Sequence, residues 1–163
     1  MRTHGLSKAK VLNSTTLIGG GQYTLGFHVQ MAKIKIESEY KVKGHVLLLN
    51  LNSVGNMSAE LENLEYFVAL KTKPQRVDGV TFLNVSAVQT DIARIDKIRV
   101  QFSNLFGGNE ELERSANELF NDNWRVLFDL LRPVLTQTYD AVLLNRFSKI
   151  FAYVPAKLLF EDL

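Results

Sequence analysis

An α+β architecture, in which a highly curved antiparallel sheet wraps one long C-terminal helix, is what the sequence predicts, and three patterns predict it. Apolar and polar side chains alternate in successive runs from Tyr23 to Phe102, the mark of half-buried strands joined by short turns. The parity of that alternation changes along the way, which calls for bulges and bends the sheet. From Glu110 to Val154 the apolar period lengthens to steps of three and four, a single helical stripe. At 163 residues the chain is the size of one domain, so residues 1–163 are expected to form a single domain with strands over about 23–102 and the helix over about 110–154.

The first strand places Tyr23, Leu25, Phe27, Val29 and Met31 on one face and Thr24, Gly26, His28 and Gln30 on the other. After Ala32 and Lys33 the apolar positions become even, with Ile34, Ile36, Tyr40 and Val42 opposite a charged face. That switch predicts a bulge or tight turn. The run Gly44 to Asn52 is apolar on both faces, as in a strand covered on both sides, and "NSVGN" after it reads as a turn. Further strands are expected at Met57 to Leu61, Leu64 to Leu70, Val80 to Thr90 and Ile95 to Phe102, with a second parity shift near Glu62. Between them "KTKPQRVDG", Lys71 to Gly79, carries the chemistry of a hairpin loop.

At "NLFGGNEEL" the character changes. Gly107 and Gly108 break the strand, Asn109 is placed to cap a helix, and Glu110 and Glu111 fall where the helix dipole favours negative charge. A helix from Glu110 to Val154 would be about 65 Å long, with a kink expected at Pro133. Two arrangements compete for such a stripe: a coiled coil, or a core helix wrapped by a sheet. The stripe holds Phe120, Trp124, Phe128, Tyr139, Phe147 and Phe151 and is broader than a heptad seam, which favours the sheet.

Composition narrows the function. Nineteen basic and 17 acidic side chains are mixed along the chain for a net charge of +2, so nucleic-acid binding has no support. No apolar run approaches the ~18 to 20 residues of a membrane span, the longest compact one being "VLLL" at Val46 to Leu49. There is no cysteine, which excludes thiolate metal sites, thiol catalysis and disulfides. The N-terminus lacks the apolar core of a signal peptide. Sequons at Asn13, Asn56 and Asn84 would accept N-linked glycans in a secreted protein.

Catalytic patterns are missing from the sequence. His28 and His45 fall on outward strand faces and, with His4, read as solvated surface histidines. "GGG" at Gly19 to Gly21 lacks the lysine and helix of a phosphate loop and reads as a turn. Ser103, Ser115 and Asp140 have no triad context. Lys71 and Lys73 beside Pro74 fit a solvated hairpin tip, or a site attracting an acidic partner. The supply of apolar side chains stands out; such an interior either closes on itself or leaves a dry pocket for a lipophilic ligand.

Three segments, "GGGQYTLGFHVQMAKIKIESEYKVKGHVLLLNLNSVGN", "NLFGGNEELERSANELFNDNWRVLFDLLRPVL" and "IFAYVPAKLLF", resemble in order and spacing the insect takeout and haemolymph juvenile-hormone-binding proteins. The carrying features are the tyrosine before Gly44, the Asn-Leu-Phe with glycines, the Asn-x-x-Trp early in the helix and the closing Phe-x-x-Val-Pro. The resemblance implies a tunnel for a hydrophobic ligand between the helix and its sheet. It also implies secretion and roles in hormone, feeding, circadian or chemosensory signalling. Family members open with a signal peptide and a cysteine pair; this sequence starts downstream of that region and is expected to lack the N-terminal part of the family domain.

The expectation is a non-enzymatic, cofactor-free monomer that carries a terpenoid hormone or a fatty-acid- or quinone-like molecule. A protein-interaction scaffold with a packed core is the alternative. Esterase-like turnover lacks a recognisable nucleophile. Inward parity selects the candidate tunnel lining: Phe27, Val29, Met31, Tyr40, Tyr66, Val68, Phe82, Trp124, Phe128, Leu131 and Leu135.

Overall fold

The structure, a computed structural model, describes residues 2–46 and 49–160, with side chains left undescribed at 45, 46 and 49–51. The run Gly44 to Asn52 that was expected to be apolar on both faces, "VLLL" and His45 therefore lie, as far as their side chains go, outside the described residues. Six strands, β1 (Arg2–His4), β2 (Lys10–Gly19), β3 (Gln22–Val46), β4 (Leu49–Val77), β5 (Val80–Arg94) and β6 (Lys97–Phe102), precede two helices, α1 (Glu110–Asp122) and α2 (Trp124–Phe151). The strands form one sheet in which β1, β2 and β4 pair with β3, and β5 and β6 pair with β4. Antiparallel register is set by Thr3 opposite Ile36, Ser14 opposite Phe27 and Ala59 opposite Val100. This is the expected α+β class.

Contacts divide the chain into two compact units. Unit 1 comprises residues 1–9, 31–64 and 94–131; unit 2 comprises 10–30, 65–93 and 132–163. The division falls inside β3, β4, β5 and α2, in the first two of them where the sequence breaks its own rhythm. In β3, Leu25, Val29 and Met31 are buried and then Ile34, with Ala32 and Lys33 exposed, so the parity switch is real. In β4 the second shift is Asn63, whose φ of 51° is left-handed, a conformation asparagine tolerates better than most residues.

Unit 1 packs Met31, Ile34, Ile98 and Val100 into its core. Its helix begins as expected: the Asn109 side chain accepts from the Leu112 N–H at 3.1 Å, with three acidic residues in the first turn. What sequence patterning did not foresee is how α1 meets β6. The Asn117 amide bonds both the N–H and the C=O of Phe102, at 2.8 and 2.9 Å, and the Asn121 amide does the same for Val100. Four helical residues rise about 6 Å and two strand residues about 6.6 Å, so the two asparagines match alternate residues of the strand. They occupy the edge of β6 that faces away from β4, satisfying backbone groups that would otherwise be orphaned.

Unit 2 buries Leu25, Val29, Tyr66, Val68, Leu70, Leu83, Val85, Phe151 and Ala156. Gly20 and Gly21, both at positive φ, turn β2 into β3, as "GGG" suggested. Asp78 and Gly79, at φ 49° and 82°, turn β4 into β5, the pattern of a two-residue hairpin.

Several boundaries differ from expectation. Strand structure starts at Arg2, not near Tyr23: β2 escaped detection because its apolar residues do not alternate, the register jumping between Val11 and Asn13. "NSVGN" is strand rather than turn. There Ser53 donates to the Leu105 carbonyl at 2.7 Å, and Gly55 lets the Ser103 carbonyl and the Tyr40 ring approach where a Cβ would collide. The hairpin loop expected over Lys71 to Gly79 contracts to its last two residues, the rest continuing β4. The helix is interrupted once, at Asn123, and ends at Phe151, while Pro133 lies inside α2 without ending it.

Candidate ligand-binding residues

The eleven candidate lining residues divide between the units. Unit 1 holds Met31, Tyr40, Trp124, Phe128 and Leu131; unit 2 holds Phe27, Val29, Tyr66, Val68, Phe82 and Leu135. Met31, Val29, Tyr66 and Val68 are buried, Phe27, Tyr40, Phe82, Trp124 and Phe128 are half-buried, and Leu131 and Leu135 are exposed.

In unit 1, Tyr40 serves the structure. Its hydroxyl donates to the Ser103 carbonyl at 2.9 Å, and its ring meets Phe102 edge-on at 5.6 Å, which in turn meets Phe120 at 5.8 Å. Burial, and behind it the charge of Glu113, pushes the Tyr40 pKa up. Trp124 carries the Arg125 guanidinium 4.8 Å above its ring, a cation–π contact.

In unit 2, Tyr66 of β4 meets Tyr139 of α2 edge-on with ring centres 6.4 Å apart. Burial is the main cause that drives both pKa values up, the other ring's hydroxyl being a lesser influence. A phenol that resists ionisation remains a hydrogen-bond donor throughout the physiological range. Tyr139 was in the helical stripe but not among the expected lining; it follows Leu135 by one turn, and that spacing was the signal that could have found it. One residue on, Asp140 accepts a short hydrogen bond from the buried Thr90 hydroxyl. Arg132 reaches the Ile92 carbonyl and lies 3.6 Å from Asp91. Thr72, fully buried, donates to the Tyr23 carbonyl at 3.2 Å.

Phe27 and Val68 border a cleft of about 230 Å³ shared with Gly26, His28, Phe67 and Asp91. His28 here is not the solvated histidine its outward position suggested. Its ring stacks on Phe67 at 4.2 Å, and Nε2 sits 2.7 Å from Glu65 Oε1, off the line of a hydrogen bond. An aromatic and a carboxylate on the neighbouring strand, invisible to alternation along β3, cover it. His4 is exposed, as expected, 3.5 Å from Glu37. Among the described residues no cluster of three or more metal-ligating side chains is found, and no helix is long and apolar enough to cross a membrane.

Comparison with known proteins agrees with this architecture. The family model for haemolymph juvenile hormone binding protein matches residues 1–161. The circadian clock-controlled protein daywake of Drosophila melanogaster is 26% identical over 130 residues, 79% of this chain and 50% of that protein. Daywake of Drosophila yakuba is 24% identical over 124 residues, 76% and 47% of the two chains. The chain thus spans about half the length of the curated relatives it matches. Among solved structures, Takeout 1 of Epiphyas postvittana aligns with a TM-score of 0.74 at 19% identity, over 94% of this chain and 70% of that one, a likeness of fold.

Proposed function

The chain belongs to the haemolymph juvenile hormone binding protein family, and on that premise we propose that it carries a small lipophilic ligand rather than transforming one. The observation that carries the proposal is the Tyr66–Tyr139 ring pair, in the unit that also buries Leu25, Val29 and Val68, with Tyr66 buried on the sheet and Tyr139 part-exposed on the helix. An apolar lining with one or two convergent polar groups is how proteins bind ligands of this class. Burial of the apolar body contributes about 25 cal/mol per Å², and the polar group sets orientation. Tyr139 is the more exposed of the two, 36% against 8% for Tyr66, so its hydroxyl is the one offered to a ligand oxygen. The ligand is therefore a long apolar molecule with one ester, ketone or ether acceptor, a description that a terpenoid hormone, a fatty-acid ester and a quinone all meet. Tyr66, Val29 and Val68 are the proposed lining on the sheet side.

Extracellular action follows as part of the same proposal. Asn13, Asn56 and Asn84 are all exposed, so each sequon presents its asparagine to solvent. A link to circadian, feeding or chemosensory signalling rests on the family and on the relatives' names.

The test is uptake. Purified protein should release a lipophilic compound on organic extraction followed by mass spectrometry, and should take up an apolar fluorescent probe. Tyr139→Phe should weaken binding of an acceptor-bearing ligand by about tenfold and leave the hydrocarbon-like probe unaffected. No extracted compound together with no probe uptake would favour the packed-core scaffold instead.

A further inference from the structure

We propose that one end of unit 2 is a docking surface for an anionic lipid bilayer. Three segments far apart in sequence meet there. The β2–β3 hairpin places Ile18 opposite Tyr23. The Tyr23 carbonyl accepts from Thr72 of β4 at 3.2 Å, and the Tyr23 ring lies 5.5 Å from the Phe160 ring. Phe82, three residues past the β4–β5 turn, bridges to Pro155. Hairpin tips and the segment after α2 therefore share one end.

Two properties of that end stand out together. Its apolar side chains face outward: Tyr153 is 86% exposed, Leu158 70%, and Leu17 and Ile18 69% each. They come from separate projections, two strand-end residues on one hairpin and two residues beyond the helix. A protein partner with a ridge or helix to seat would want a groove; separate projecting tips suit insertion into the soft boundary between headgroups and acyl chains, where tyrosine is favoured.

The charge points the same way. Lys71, Lys73 and Arg76 lie on the β4 arm of the second hairpin, and Lys149 and Lys157 flank Tyr153 in sequence; all five are exposed and none is in an ion pair among the described residues. Asp78 is the acidic residue described on these projections. Five unneutralised cations beside exposed apolar tips repel a second copy and attract an anionic surface. The lysine pair beside Pro74, which a solvated hairpin tip would leave idle, thus gains an acidic partner. Glu161 and Asp162 follow in sequence outside the described residues, so the test uses the full chain. Exchange of a lipophilic ligand with a bilayer is the step this surface would serve; that use rests on the carrier proposal, whereas docking is read without any ligand, so the two fail separately.

The measurement is co-sedimentation of the full chain with phosphatidylcholine vesicles, with and without phosphatidylserine. Binding is expected on the anionic vesicles alone and should fall as salt rises. Reversal of three charges in Lys71→Glu/Lys73→Glu/Arg76→Glu should lower the partition coefficient at least a hundredfold, since each cation near the surface is worth about fivefold. Tyr153→Ser/Leu158→Ser should lower it about tenfold or more, with circular dichroism unchanged. Lys41→Glu/Lys43→Glu, an exposed pair of unit 1, is the control and should change little. Equal binding to neutral vesicles, no binding to either, or equal loss in the control would overturn the proposal. So would a dimer in light scattering that the Tyr153 and Leu158 changes abolish without any vesicle binding, which would assign the patch to a second copy.

Discussion

Unit 1 and unit 2 are built from consecutive stretches of the same long strands, yet they join helix to sheet by different chemistry. In unit 1 the asparagine pair of α1 bonds four backbone groups of β6, and Tyr40 spends its hydroxyl on the Ser103 carbonyl. In unit 2 the links are mixed: Thr90 donates to Asp140 and Tyr66 meets Tyr139 ring to ring, while Arg132 and Ser148 reach β5 carbonyls. Backbone groups offer fixed partners, so an amide that matches them closes the junction. The proposed ligand contact thus falls in the unit whose helix–sheet links include pairs of side chains.

The largest effect should come from adding a side chain where unit 1 packs its backbone too closely to admit one. A Cβ at Gly55 would run into the Ser103 carbonyl and come within 3.0 Å of the Tyr40 ring. Backbone cannot step aside as a flexible side chain would, so Gly55→Val should cost about 3 kcal/mol or more, measured by urea denaturation. Next comes Asn117→Ala, which takes the buried amide away from the N–H and C=O of half-buried Phe102 and should cost about 2 to 3 kcal/mol. Hydrogen exchange at β6 amides should quicken in both variants. If β5 amides of unit 2 quicken by the same factor, the contrast between the units does not hold energetically.

A pH measurement sharpens the other side. Burial raises the folded-state pKa of Tyr66 above its ordinary 10.0. Above pH 10 the unfolded chain gives up this proton while the folded chain holds it, so the stabilisation is complete below that pH and declines above it. The slope belonging to Tyr66 is about 1 kcal/mol per pH unit. Tyr66→Phe should flatten the decline between pH 10 and 11 by that amount; an unchanged slope would mean that the phenol already ionises in the folded protein.

Much of this was legible along the chain. Period two and its switch at Ala32 and Lys33, the Asn109 cap and the glycine turn are all local, and each was found where the sequence put it; the stripe is helical as expected, but Leu119, Leu131, Leu135 and Ile150 within it are exposed. What escaped depends on pairs distant in sequence. Nothing in "NSVGN" announces that Gly55 must admit a carbonyl from Ser103, and alternation along β3 does not show that Phe67 of β4 covers His28. Asn117 and Asn121 read as polar residues on an amphipathic helix until β6 is placed beside them. Of the proposed lining, Val29, Tyr66 and Val68 follow from strand parity, and Tyr139 from its place one turn after Leu135 in the helical stripe.

The smallest effect tests the hydroxyl link of unit 2 directly. Thr90 is buried, and its hydroxyl donates to Asp140, itself only half-buried. Thr90→Val keeps the shape and removes the donor, and water can replace the lost bond at a carboxylate that solvent already reaches. The cost should therefore be about 1 kcal/mol, clearly below that of Asn117→Ala, where the stranded groups are backbone and water has less access. Urea midpoints with unchanged slopes would measure both. Were Thr90→Val the costlier of the two, the polar links of unit 2 would bind their partners as firmly as the amides of unit 1 do, and a proton free for a ligand would have to be sought elsewhere.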